Sequence, residues 1–425
     1  MDRKVKISVG YQEILSFLFF CTIVLNNVFG SDAKLYILSK LAMLLFFGAS
    51  ILYLCKRQKI SISSMILVVT IFTLWELLSI IWSTNKDIAL FQLKTQLQLF
   101  VLFLFSYIYV REFKGVDIFL KATYVSGVVL SIYSMAVYGV NGFIYMLSQG
   151  DRMGGEISNE NTFGMVFSFA VIASYYYFLR NKKKIYFLSI FLFSFFALSS
   201  GSKKALLIIG IGIAGISCFY YGIKKIWKIA LVCIVVGITI IFALRLNIFA
   251  TINERITSFL SGEFDVSDQI RMNLIETGKS LIWEKPLIGY GLGHFKYISG
   301  YSVYSHNNFI ELAVSLGIIG FVIYYIPFVY SLFKLLKDLK NKNIKSMFMF
   351  VLVMLNFVLG YGAVQFYEKD IWILLGVTLA YVDDLRRQNK IMKGEIGQFL
   401  FTHRLHASLI FSKKCLNISW RFPLL

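Results

Sequence analysis

The chain has 425 residues, 58% of them hydrophobic and only three of them proline, and its mean hydropathy is +0.70. Soluble domains carry more charge and less apolar content, and here the apolar residues fall in blocks near the length that crosses a bilayer. The formal net charge of +20 does not indicate nucleic-acid binding, because the lysines cluster between apolar blocks, as cytoplasmic loops require. The composition therefore predicts an all-α polytopic membrane protein with no nucleic-acid partner.

The apolar blocks define about twelve transmembrane spans by the twenty-residue criterion. The predicted spans are residues 12–29, 34–54, 62–82, 88–109, 116–140, 161–179, 185–199, 204–221, 226–246, 307–332, 344–362 and 371–382. The five cysteines lie mostly within or beside these blocks and lack metal-ligand spacing, which indicates neither a disulfide framework nor a zinc site. A basic segment precedes the first span, but no small-residue cleavage site follows that span, so we interpret it as a retained helix.

The basic residues between the spans predict the orientation of the chain. With about twelve spans, the basic segments share one side, which the positive-inside rule makes cytoplasmic. These segments hold Arg3, Lys4 and Lys6; Lys56, Arg57 and Lys59; Arg180 and residues 182–184; Lys224, Lys225 and Lys228; and residues 334–345. Both termini are then cytoplasmic, and residues 142–160 and 247–305 lie outside.

The predicted domain organisation is a membrane domain over residues 1–382 and a basic cytoplasmic tail over residues 383–425. A long extracytoplasmic helical loop, residues 247–306, joins the ninth and tenth spans. Within it, the run SDQIRMNLIETGKSLIWEKP has apolar residues at helical spacing and is stopped by Pro286. We expect this helix and a shorter amphipathic piece, residues 253–260, to lie along the outer membrane surface. The run GYGLG, residues 289–293, indicates a turn.

The tenth span begins in the run SHNNFIELAVSLGIIG, which contains His306. Ser305 or Asn307 can cap a helix there, because a short side-chain oxygen accepts an unpaired backbone N–H. The ring should stay neutral at the positive end of the helix dipole and near local cations. A neutral imidazole at the membrane boundary suits a general base, although the same position suits a histidine that only caps or hydrogen-bonds.

Cations on the outer side form the second feature of the predicted site. Arg271 lies on the amphipathic helix, and Lys203 and Lys204 lie at the outer end of the eighth span, where the positive-inside rule does not explain them. They indicate an anionic ligand, or else lysines that reach lipid phosphates. Arg152 and Arg255, from the two outer loops, complete the predicted set of diphosphate-binding cations.

Polar residues near the outer ends of several spans complete a predicted substrate cavity. Glu76 lies about 9 Å inside the third span, where an acid normally faces a cavity or a partner. Gln92 and Gln96 share a polar face of the fourth span. The further predicted lining residues are Asn159, Asn161, Asn307 and Glu311.

Such a cation-rich cavity suits a diphosphate leaving group. Glycosyl transfer from a polyprenyl diphosphate requires neutralisation of the departing diphosphate and alignment or deprotonation of an acceptor hydroxyl. Arginine offers bidentate phosphate contacts. A metal could neutralise the diphosphate instead, but Asp265 and Asp268 are not a tight carboxylate pair, so we predict neither a metal nor a cofactor.

Several of these stretches together resemble one family. The runs RMNLIETGKSLIWEKP, PLIGYGLGHF and SHNNFIELAVSLGIIG, preceded by LLSIIWSTNKDIAL, RMGGEISNEN and SSGSKKALL, are similar to the O-antigen ligase and Wzy polysaccharide polymerase superfamily in their order and spacing. The resemblance covers about residues 62–320. It implies a membrane glycosyltransferase of the GT-C type, metal-independent and inverting, which passes a glycan from undecaprenyl diphosphate to a sugar hydroxyl outside the cytoplasmic membrane.

The resemblance also assigns roles to particular residues. The loop histidine of the family falls at His306, its loop arginine at Arg271, and its second arginine at Lys203. Lysine at that position keeps the charge but loses the bidentate fork, so Lys204 or Arg152 could share the phosphate role.

The sequence alone is compatible with three functions. The leading prediction is a polymerase of lipid-linked repeat units of a capsule, exopolysaccharide or O-antigen, working beside a flippase and a chain-length regulator. A ligase that transfers O-antigen to lipid A-core is the alternative within the class. A transporter of lipid-linked sugars is less favoured, because the sequence shows no internal repeat and no pair of broken spans.

Overall fold

The computed structural model describes residues 10–30, 35–56, 63–149, 151–222 and 266–392, with residues 227, 253–254, 257–258 and 261 between the last two ranges. Thirteen helices run through this described part. They are α1 (Tyr11–Phe29), α2 (Tyr36–Lys56), α3 (Ser64–Leu78), α4 (Lys86–Phe113), α5 (Val116–Gln149), α6 (Glu160–Asn181), α7 (Lys184–Ser199), α8 (Lys203–Tyr221), α9 (Val266–Glu284), α10 (Phe295–Ile298), α11 (Asn308–Leu339), α12 (Ile344–Gly360) and α13 (Lys369–Met392).

Seven of the described helices are long and apolar enough to cross a membrane: α1, α2, α4, α5 over residues 116–146, α6, α8 and α11. Helices α3, α7 and α12 are apolar but shorter. The chain is therefore a polytopic membrane protein, as predicted. Each predicted span except the ninth coincides with a helix; the ninth span, residues 226–246, lies almost entirely outside the described residues. Helix α13, at the predicted twelfth span, has charged residues at both ends.

Aromatic side chains and small residues hold the helices together. Phe167 stacks on Phe196 with ring centroids 4.7 Å apart, which joins α6 to α7. Trp372 of α13 packs its ring edge against Phe103 of α4 at 6.2 Å. The same two helices approach closely at Gly376, where a β-carbon would lie 2.8 Å from the Phe103 carbonyl oxygen. Such packing replaces the hydrophobic driving force that lipid does not supply between helices.

Helix α11 is broken at Gly317, whose backbone has φ 67° and ψ −176°. Inside a membrane, the backbone groups that such a break releases must find partners within the protein. The glycine-rich turn supplies most of them. The N–H groups of Tyr290 and Gly291 donate to the carbonyls of residues 314 and 315, each at 2.9 Å, and the N–H of Ile318 donates to Pro286 at 2.9 Å.

Further contacts complete this junction between the turn and α11. The Trp75 indole N–H of α3 donates to the Leu316 carbonyl at 3.0 Å. Gly289 has a positive φ of 68°, and a β-carbon there would lie 2.6 Å from the Val314 carbonyl oxygen. The predicted turn at residues 289–293 is therefore confirmed, and its glycines allow it to lie directly against the broken helix.

The amphipathic helix α9 ends at Glu284, just before Pro286, as predicted. Its apolar stripe packs against α10 and α11: Leu274 is fully buried in a cluster with Phe295 and Val314. Gly278 lies directly against Ile310, so the stripe packs on the protein. The position of this helix along the outer membrane surface stays a prediction.

Candidate functional site

The turn before α11 fixes the position of His306. Asn307 is the N-cap, and its side-chain oxygen accepts hydrogen bonds from the N–H groups of Phe309 at 2.9 Å and Ile310 at 3.2 Å. The predicted cap is therefore confirmed at Asn307. The residue before it, His306, has a left-handed backbone with φ 55°, a region that residues other than glycine seldom occupy.

Hydrogen bonds on both sides of His306 hold this unusual conformation. The Ser305 N–H donates to Oε2 of Glu311 at 2.8 Å. The Asn307 N–H donates to Oγ of Ser305 at 3.2 Å, and that hydroxyl donates to the Asn307 carbonyl at 2.8 Å. Strained backbone of this kind persists only where the surroundings determine it, which is common at functional sites.

The surroundings of His306 keep its ring neutral. The ring is half-buried and lies on Tyr304, with ring centroids 4.2 Å apart. Burial lowers the pKa of His306 to about 4, and the nearby charges of Arg271 and Lys204 act in the same direction. The sequence predicted a neutral ring from cations and the helix dipole, whereas loss of water is the leading cause.

His306 opens into a cavity of about 1110 Å³ between α4, α6, α8, α9 and the residues that follow α12. Among the predicted site residues, those lining it are His306, Arg271, Lys204, Gln92, Asn159, Asn161 and Glu311. These residues come from five different parts of the sequence, so the fold brings together two cations, one neutral imidazole and a carboxylate.

Other predicted site residues lie outside this lining. Arg152 is bound between the α7–α8 turn and α6: its Nε donates to the Ser200 carbonyl at 2.9 Å, and one terminal nitrogen donates to Oδ1 of Asn161 at 3.3 Å. Lys203 begins α8, but its neighbour Lys204 is the lysine that reaches the cavity. Asn307 serves the backbone as a cap, and Arg255 lies outside the described residues.

The predicted placement of Glu76 and Gln96 in the cavity is wrong. Both side chains are fully buried, and neither makes a hydrogen bond within the described part of the chain. The helical position of Glu76 placed it near the outer end of its span, but its helix turns it toward Tyr324, inside the bundle.

The second histidine of this region, His294, is buried and holds two parts of the fold together. It is fully buried, and its Nε2 accepts a hydrogen bond from the Asn85 N–H at 3.0 Å. Its Nδ1 lies 3.1 Å from the Leu292 carbonyl, so Nδ1 carries the proton. Burial lowers the pKa of His294. The ring thus links the glycine-rich turn to the start of α4.

Sequence reasoning missed several residues of the cavity. Lys296, Tyr304, Tyr367 and Glu368 line it as well. The last two lie between the eleventh and twelfth predicted spans. Counting spans from a cytoplasmic N-terminus gives this segment the same side as residues 247–305, and that count was the available signal, since no motif marks the segment.

The fold and the cavity thus define a polytopic membrane protein with a cation-bearing polar site built around a histidine turn. Residues 187–325 match the Wzy_C family model, which is described as O-antigen ligase. Over that range the chain is similar to this family, which agrees with the resemblance found in the sequence. The matched range contains Lys204, Arg271, His306 and Glu311.

The chain is also similar to a protein of Rickettsia conorii named "Putative polysaccharide ligase". The two are 29% identical over 123 residues, which cover 24% of this chain and 30% of that protein. The similarity thus spans less than a third of the relative's length.

Proposed function

We propose that this protein is a membrane glycosyltransferase that joins lipid-linked oligosaccharide repeat units. It transfers a glycan from undecaprenyl diphosphate to a sugar hydroxyl with inversion and without a metal. The observation that carries the proposal is the cavity itself: Arg271, Lys204 and the neutral His306 line one space within the range that matches the O-antigen ligase family.

The cations suit the departing diphosphate. Arg271 and Lys204 approach from different helices, and both influence the His306 ring electrostatically. Fixed positive charges in a site with little water stabilise negative charge as it develops on the leaving group. Lys203, at the position that the family resemblance assigns to an arginine, supports this pair from the first turn of α8.

The neutral ring of His306 suits the acceptor. An imidazole without a proton on one nitrogen accepts a hydrogen bond from a sugar hydroxyl and orients its oxygen toward the anomeric carbon. The hydrogen-bonded turn around His306 holds the ring in place before substrate binds, which reduces the entropy lost in reaching the reactive geometry.

The lysine distribution supports an active site on the outer face of the cytoplasmic membrane. With about twelve spans, both termini and the basic loops are cytoplasmic, and the cavity residues from the separate outer loops and span ends meet on the opposite side. Lipid-linked repeat units on that side would come from a flippase, and a chain-length regulator would be a further partner.

The polymerase is favoured over the ligase by composition. The chain is rich in Lys, Ile, Phe, Tyr and Asn and has only three prolines. This bias suggests an AT-rich genome of the kind found in Gram-positive organisms, which have no lipid A acceptor. A ligase acting on lipid A-core is the alternative, and a transporter of lipid-linked sugars is the alternative from another class.

The test is elongation of defined lipid-linked repeat units by the purified protein in liposomes. A polymerase releases polyprenyl diphosphate and extends the glycan with no other acceptor. A ligase releases it only when lipid A-core is supplied. A transporter changes the membrane side of the substrate and releases no polyprenyl diphosphate, which would contradict the proposed function.

A further inference from the structure

The residues between α12 and α13 form a fixed wall of the cavity. Oδ1 of Asn308, in the first turn of α11, accepts hydrogen bonds from the N–H groups of Gln365 at 2.7 Å and Phe366 at 2.9 Å. The neighbouring cap, Asn307, donates from Nδ2 to the Tyr361 carbonyl at 3.2 Å. The segment 361–368 is therefore attached to the same helix start that positions His306.

This attachment carries Glu368 into the cavity, where it lines the wall with Lys204 and His306. Glu368 is exposed, and its carboxylate has no hydrogen bond or salt bridge to any residue that the structure describes. Glu311, the other carboxylate of the cavity, differs because its Oε2 accepts the Ser305 N–H at 2.8 Å. Glu368 thus has an oxygen available to a substrate.

The groups around Glu368 set its charge. Partial loss of water and the neighbouring Asp370 raise the pKa of Glu368 to about 6, while Lys369 and Lys204 oppose that rise. The other titratable or charged groups of the cavity are Arg271, Lys296, Tyr297, Tyr304, His306, Glu311 and Tyr367. At neutral pH Glu368 is therefore mostly ionised and able to take up a proton.

We propose that Glu368 is the general base of this site and that His306 aligns the acceptor. The inference rests on the proposed glycosyl transfer. The acceptor hydroxyl gives its proton to a Glu368 oxygen, and its electron pair forms the new bond to the anomeric carbon. The bond from that carbon to the diphosphate oxygen breaks, and the diphosphate leaves with its electron pair toward Arg271 and Lys204.

The pKa of Glu368 suits a general base for this proton better than the pKa of His306 does. A general base works best when the pKa of its conjugate acid lies near the operating pH. The cations and burial that keep His306 neutral also make it a weak base, with a pKa of about 4. The same site can therefore use the imidazole for alignment and the carboxylate for proton transfer.

The test compares pH profiles of turnover for the wild type, Glu368→Gln and Glu368→Asp, measured as polyprenyl diphosphate released from a defined lipid-linked repeat. The wild type should lose activity as pH falls through about 6. Glu368→Gln should fall by about 10²–10⁴-fold and lose that acid limb while still binding the donor. Glu368→Asp should retain part of the rate and keep the limb.

Two control variants distinguish the effect of Glu368 from the effects of other carboxylates. Glu311→Gln keeps an acceptor oxygen for the Ser305 N–H, so the acid limb should persist in that variant. Glu276→Gln removes a surface carboxylate paired with Lys279 at 2.7 Å and should leave turnover unchanged. A wild type that releases no polyprenyl diphosphate would overturn the proposed function itself. A working wild type with an acid limb unchanged by Glu368→Gln would overturn this inference alone.

Discussion

At the residue scale, His306 combines a strained backbone with a ring held neutral by its surroundings. The left-handed conformation at φ 55° is fixed by hydrogen bonds from both neighbours, so the turn is ready before any substrate arrives. The ring itself makes no hydrogen bond within that network, so it is available to a ligand in the cavity. A residue with a structural role alone, such as His294, has both ring nitrogens engaged.

Substitutions at His306 should separate alignment from proton transfer. His306→Ala removes the acceptor nitrogen and should lower turnover by about 10²-fold, the cost of a misplaced acceptor. His306→Gln should retain substantially more, because an amide oxygen still accepts a hydrogen bond. His306→Asn controls for the backbone, since asparagine tolerates the left-handed region. If Gln and Ala lose equal activity in purified, folded protein, the ring does more than align.

Alanine substitutions at the two adjacent lysines should differ in their effect on use of the lipid-linked donor. Lys204→Ala removes a charge from the cavity wall and should weaken donor use by roughly ten-fold or more, the range for a hydrogen bond to a charged group. Lys203→Ala should have a smaller effect, and Lys203→Arg should be tolerated. The measurement is KM and kcat for the lipid-linked donor. A greater loss at Lys203 than at Lys204 would contradict the placement of the diphosphate beside Lys204.

At the element scale, the break in α11 and the glycine-rich turn are one unit. The turn replaces helix hydrogen bonds with bonds from another part of the chain, and indole N–H groups cover two further carbonyls. Along the chain, the glycine-rich turn lies between Arg271 on α9 and His306 before α11.

Alanine at Gly317 should destabilise this unit. The backbone of Gly317, with φ 67° and ψ −176°, lies in a region nearly restricted to glycine, where a side chain costs about 1–3 kcal/mol. The new methyl would also meet the Leu287 carbonyl. Gly210→Ala, on an open face of α8 with no neighbouring atom within 4 Å, is the matched control and should be neutral. Thermal unfolding of the detergent-purified variants checks both, and equal midpoints would contradict the account.

The sequence predicted local features of the fold better than long-range ones. Apolar runs predicted the helices, Pro286 the end of α9, and Asn307 the cap, because each depends on neighbours within one turn. The break at Gly317 escaped prediction, since its cause is pairing with a turn some 30 residues away along the chain. The predicted positions of Glu76 and Gln96 were wrong because the depth of a residue along a span does not determine which face of the helix points into the protein.

At the scale of the whole molecule, separate loops and helix ends converge on one cavity. Gln92, Asn159, Lys204, Arg271 and His306 come from well-separated parts of the chain, and segment 361–368 closes the wall through Asn308. The family match covers residues 187–325 alone, so part of the cavity comes from sequence on either side of it.

Orientation can be tested by cysteine labelling in a cysteine-free background. Ser302→Cys, exposed at the cavity, should react with an impermeant thiol reagent added to intact cells. Asn341→Cys, in the exposed turn after α11, should react only after the cells are opened. Reaction of both positions in intact cells would contradict the predicted sidedness, which rests on the lysine distribution.

The central claim is that this cavity transfers a glycan away from a polyprenyl diphosphate. The most direct measurement is release of polyprenyl diphosphate, with growth of the glycan, from purified lipid-linked repeat units and purified protein in liposomes. The account predicts release by the wild type and loss of release by Arg271→Ala, with the variant still folded in the membrane. Equal release by the wild type and Arg271→Ala, or movement of the substrate across the membrane without any release, would contradict it.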